Sequence, residues 1–157
     1  MLSDNSLGYC ATHGLLCGTI SLLTADKLGL DASVRRSLLD AALTMNIGMA
    51  RDQDSLSRQK TPPTEWQRQL IVDHPVIGAT TLRNLGLEDE DTLDLVRWHH
   101  QPQHPDALPR NSIARRILAT ADAFVAKMAA RKSRGPLPPI AAAKSIFAGA
   151  EGEAATV

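Results

Sequence analysis

Five histidines, His13, His74, His99, His100 and His104, are the side chains here best suited to chemistry near neutral pH. Neutral imidazole titrates close to physiological pH and is the commonest protein metal ligand. His99 and His100 are adjacent, and His74 stands in Asp73-His74-Pro75. Asp122 adds a hard oxygen donor inside an otherwise apolar stretch, residues 117–125. A carboxylate buried there needs a cation or hydrogen-bond donors beside it, because an unpaired buried charge is costly. Any one of the histidines alone reads as a surface or hydrogen-bonded core imidazole; the set, with Asp122, reads as a candidate metal-ligand group. Arg131 and Arg134, three apart beyond a helix, could grip a phosphate by charge-assisted hydrogen bonds. The same two cations would also complement a helix dipole from solvent. Arg115 and Arg116 read as solvent-facing.

A chain of 157 residues is the size of one domain. The expected domain spans residues 1–157, with a core over about 8–149 and a frayed end over 150–157. Seventeen basic residues against 17 acidic ones argue against general nucleic-acid binding. No apolar run approaches the 18 or so residues that span a bilayer, and no basic region leads into an apolar stretch at the start. The expectation is a cytoplasmic protein without a membrane partner. Cys10 and Cys17, seven apart on one helix, are separated by about 10 Å of rise, too far for a disulfide. They read as reduced core cysteines.

Aromatic residues make up only 3% of the chain, so Leu, Ala, Ile and Val must build the core. That composition favours helices over strands. The first expected helix covers residues 8–28, with Leu16, Ile20 and Leu23 as its stripe and Gly29 as its stop. The second covers 34–47, capped by Asp31 or Ser33, with Leu38, Leu39, Ala42 and Leu43 buried. A polar loop, 50–63, follows. Thr64-Glu65-Trp66-Gln67 fits a capping box, and Pro75 suits the start of a separate helix running to about Leu85. Residues 88–100 are amphipathic, 101–110 form a proline-rich loop, and Asn111 caps a long helix over 112–132. A last helix covers 140–148. The class is all-α, with six to seven helices.

In this order the segments resemble the HD-GYP family, bacterial all-α domains of the HD superfamily of metal-dependent phosphohydrolases that hydrolyse cyclic-di-GMP. His13 is similar to the family's leading histidine. Asp73-His74-Pro75 with Gly78 and Leu82 resembles its His-Pro helix start, and His99-His100 its paired histidines. The helix around Asp122 resembles the one carrying its later metal-binding aspartate. Arg131-Lys132-Ser133-Arg134 is similar to its Arg-Pro-Tyr-Arg stretch. The resemblance implies an HD-domain-like helical bundle in which His13, His74, His99, His100 and Asp122 face metal and Arg131 and Arg134 face phosphate.

Both signature motifs depart from the family pattern. Its His-Asp pair corresponds here to Met45-Asn46, and the lysine after Ile-Gly corresponds to Met49. Gln101 and residues 102–109 stand where a Glu and an Asp-Gly-x-Gly-Tyr-Pro loop are expected, and Tyr9 stands where some members place a Glu. The resemblance implies that an aspartate bridges two metals in the family. Asn46 is neutral with one useful oxygen, and the Met45 thioether suits Fe, Mn or Mg poorly. The expectation is therefore a catalytically degenerate domain, with Met45, Asn46 and Met49 as the degenerate positions. It would hold no cofactor, or a single transition metal ion (Zn, Ni, Fe or Mn) on His74, His99 and His100. Its partner would be a cyclic dinucleotide or a signalling protein. A residual phosphodiesterase using His74, His99, His100 and Asp122 is the alternative, as is a non-catalytic HD output module, which the His99-His100-Gln101-Pro102 run resembles. His104 and Asp106 are further substitute ligands to weigh, and an apolar helix face would suit a homodimer.

Overall fold

A computed structural model describes residues 8–129 and 135–154. The described residues form seven α-helices and no strand: α1 (Tyr9–Lys27), α2 (Ala32–Thr44), α3 (Ala50–Arg58), α4 (Glu65–Asn84), α5 (Glu90–Trp98), α6 (Ser112–Met128) and α7 (Pro139–Ala154). Two short 3₁₀ turns, Ile47–Met49 and Pro109–Asn111, join α2 to α3 and lead into α6. No helix among the described residues is long and apolar enough to cross a membrane.

The core lies where α1 packs on α2 and α6, and α5 packs on α2 and α4. Leu38, Met45, Leu95, Val96 and Leu118 are fully buried there. Of the expected stripe on α1, Leu16 and Ile20 pack half-buried against the core, but the helix's fully buried face is different. It consists of His13, Gly14, Cys17, Gly18, Ser21 and Ala25, while Leu23 is exposed. Small residues let the two backbones approach: a Cβ at Gly14 would sit 3.3 Å from the Ala42 carbonyl oxygen, and one at Gly18 3.1 Å from Leu39 Cδ1. Leu43, expected inside, likewise faces out.

Three segment boundaries also differ from the sequence reading. The polar loop is mostly helix α3, whose buried residue is Gln53. Its Asp54 accepts a hydrogen bond from the Cys10 amide at 2.8 Å. A carboxylate near the amide-rich start of α1 is favourable, and Gly8 supplies no side-chain cap of its own. Pro75 lies inside α4 rather than at the start of a new helix. The Thr64–Gln67 capping box does begin α4, with hydrogen bonds of 2.8 and 3.3 Å. Asn111 does not cap α6 through its side chain. α7 runs on to Ala154, past the expected end at residue 148. Arg131 and Arg134 lie outside the described residues.

Candidate metal centre

The geometry at His74 begins with a missing proton. Proline has no amide hydrogen, so Pro75 cannot donate to the carbonyl four residues back, that of Ile71. The His74 ring takes the vacancy: its Nδ1 lies 2.7 Å from the Ile71 oxygen. His99 repeats the arrangement at the end of α5, where carbonyls lack helical partners. Its Nδ1 lies 2.7 Å from the Val96 oxygen. A carbonyl only accepts, so each Nδ1 must carry the hydrogen.

In neutral imidazole the other nitrogen is then a bare acceptor. Burial, foremost, favours neutral rings: it pushes His74 down to about 4, and it lowers His99, with the neighbouring His100 adding to the effect. The two Nε2 atoms face each other 3.2 Å apart. Two neutral rings with both Nδ1 protonated place no hydrogen between them. A cation would resolve the conflict. Two nitrogens bound at about 2.0–2.1 Å around a tetrahedral ion stand about 3.3 Å apart, close to the observed spacing. Carbonyl-anchored Nδ1–H groups are also the usual outer support of metal-ligating histidines. His100 completes a trio whose ligand atoms all lie within 4.8 Å of one another. Its side chain is 46% exposed, the open side of the cluster.

The second half of the cluster is built differently. His13 Nε2 sits 2.7 Å from Asp122 Oδ1, bringing α1 and α6 together. Cys17 Sγ lies 3.5 Å from the same nitrogen. His13 Nδ1 is buried without a partner, and the ring stacks on Tyr9 at 5.5 Å. Burial works against the charged form of Asp122, yet the hydrogen bond from His13 and the neighbouring imidazoles hold its carboxyl below the ordinary value. The remaining oxygen, Oδ2, is 3.6 Å from His100 Nδ1, so the two halves meet at Asp122. Burial, then Asp122, push the Cys17 thiol far above its usual range.

His13, His74, His99, His100 and Asp122, expected as ligands, thus fall in one connected cluster. Met45 is fully buried in the apolar core, Asn46 is buried and Met49 half-buried. Gly48 ties their turn to the site: a Cβ there would stand 2.3 Å from the His74 carbonyl oxygen and 2.8 Å from the Gly78 nitrogen. His104 and Asp106 join neither trio. The His104 ring stacks on Trp98 at 3.7 Å, and its Nδ1 accepts the Asp106 amide.

Arg115 corrects the sequence reading. It is not solvent-facing but buried against Asp94, Nη1 to Oδ2 at 2.6 Å. Its Nε donates to the Pro102 carbonyl and Nη1 to that of Leu108. Asp94 also accepts the Leu108 amide and the Asn111 side chain. This network fastens residues 102–111, the segment that follows His100, between α5 and α6.

Cys17, read from the sequence as a reduced core cysteine, belongs to this second group; its place four residues after His13 puts both on one face of α1. No family model, no curated protein and no solved structure matches this chain. What the fold and site define is an all-helical chain with a buried imidazole–carboxylate cluster fit for a transition metal.

Proposed function

We propose that this chain is a catalytically degenerate HD-GYP-like domain, an HD-type helical bundle acting in bacterial cyclic-di-GMP-type signalling by binding a nucleotide or a protein partner. The observation that carries the reading is the His74–His99 pair, with both Nδ1 atoms committed to carbonyls and both Nε2 atoms turned toward one point. These are the histidines the family resemblance assigns to metal. Beside that support stands what is missing: buried Asn46 offers a neutral amide where the resemblance calls for a bridging carboxylate. Scaffold can outlast chemistry, because helix packing needs only the buried faces.

His74, His99 and His100 would hold one ion, whose chemistry would be attraction of phosphate oxygens at the exposed His100 side. Asp122 holds His13 by a hydrogen bond and lies beside His100, and the Arg115 network holds the following loop in place.

Calorimetric titration of the zinc-loaded chain with cyclic-di-GMP, with chromatography of the mixture, tests the reading. Saturable binding with no linear dinucleotide supports it. Release of linear dinucleotide overturns degeneracy in favour of a residual phosphodiesterase, and absence of binding overturns the nucleotide role. The substitution Asn46→Asp should add metal affinity if position 46 faces the ion; unchanged affinity would count against the alignment with the family.

A further inference from the structure

We infer that Cys17 joins His13 and Asp122, which the resemblance already assigns to metal, as the third ligand of a second metal position, of zinc type, beside the three-histidine one; this rests on reading the shared cluster as a metal pocket. His13 and Cys17 are four apart on α1, so their side chains occupy one face a turn apart. Both are buried, and Asp122 reaches them from α6. The three ligand atoms lie within 4.8 Å of one another.

The spacing suits a tetrahedral ion. With Zn–S about 2.3 Å and Zn–N about 2.0–2.1 Å, sulfur and nitrogen stand about 3.6 Å apart. Cys17 Sγ and His13 Nε2 are 3.5 Å apart. The carboxylate is the part that moves. Oxygen and nitrogen on such an ion stand about 3.3 Å apart, against 2.7 Å here, so Asp122 must retreat by roughly 0.6 Å on that tetrahedral geometry. Its side chain is 15% exposed. On ion entry the thiol proton leaves to solvent and the His13 proton shifts from Nε2 to Nδ1, for a net release of one proton. A thiolate beside imidazole and carboxylate favours zinc or cobalt over magnesium or manganese. Asp122 Oδ2, 3.6 Å from His100 Nδ1, places one carboxylate between the two positions.

The test is anaerobic titration of the chelator-stripped full chain with cobalt(II), read by absorption and metal content. The expected result is two equivalents of cobalt and a near-ultraviolet thiolate-to-cobalt charge-transfer band. Cys17→Ala should lose the band and one equivalent, Cys17→Ser should do the same at nearly constant volume, and Cys10→Ala should keep both. The paired change His74→Ala with His99→Ala should lose the other equivalent and keep the band, so the two positions fail separately. A wild-type spectrum without the charge-transfer band overturns the inference whatever the variants do. So does a band that survives loss of Cys17.

Discussion

The Asp94–Arg115–Asn111 network and the His74–His99 pair are both buried and polar, and each includes a residue of α5 or its end, yet they follow opposite rules. In the network, charge meets charge and the donors meet carbonyls or carboxylate, leaving no buried side-chain atom of these residues without a partner. In the pair, each ring spends its only hydrogen on its own helix and turns a lone pair toward its neighbour. The first arrangement is complete within the chain; the second leaves two facing lone pairs that a cation could share. Burial and polarity alone therefore do not mark a functional group here. What marks it is the direction in which unmatched atoms point.

The largest expected effect is on the complete side. Arg115→Met should cost about 3–5 kcal/mol, because Asp94 is left buried without its cation. Urea denaturation measures it, and a cost under about 1 kcal/mol would show the network to be no more than a surface-type pair. Acid should act next most strongly, on the other side. With chelator present, His74 binds its proton at about 4 when folded and near 6.5 when unfolded. Between those values the unfolded chain holds more protons, so stability falls as pH drops from about 6.5 to about 4 and is level above that window. His74 alone accounts for roughly 3 kcal/mol of this, and His99 acts in the same direction. Stability that stays flat through that window would mean that the rings are not buried as neutral bases.

Gly48→Ala comes third. Its methyl group would meet the backbone at His74 and Gly78, an overpacking worth about 1–3 kcal/mol. Metal affinity should weaken with it, as a titration would show. The smallest change should be His74→Leu in the metal-free chain, about 1–2 kcal/mol, since apolar packing replaces the ring while the Ile71 carbonyl loses its hydrogen bond. If that variant unfolds as readily as Arg115→Met, the contrast between the two clusters is void.

The helical class was legible because Ala and Leu dominate and the Thr64–Gln67 cap is local. The packing of α1 was legible in part: Leu16 and Ile20 do pack on the core, but the fully buried face is largely glycine, serine, cysteine and histidine, and aliphatic periodicity also selects the exposed Leu23. α3 escaped for a similar reason: its buried side chain is Gln53. Pro75 was read by its preference for a first turn, whereas the helix carries it inside and its side effect lands on His74. The ligand types could be read from the chain, but spacing alone does not bring residues 13, 74, 99 and 122 together. Arg115 did leave a trace. It shares a three-and-four spacing with Leu118, Asp122 and Val125, which sets it apart from its exposed neighbour Arg116.

Pro75 contributes no reactive atom, yet by withholding an amide it dictates which nitrogen of the ring before it carries hydrogen. The tautomer of His74 is thereby written into covalent structure instead of being left to solvent or to a movable side chain. Any residue with an N–H at that position would compete for the Ile71 oxygen, and the imidazole would be free to turn its protonated edge toward His99.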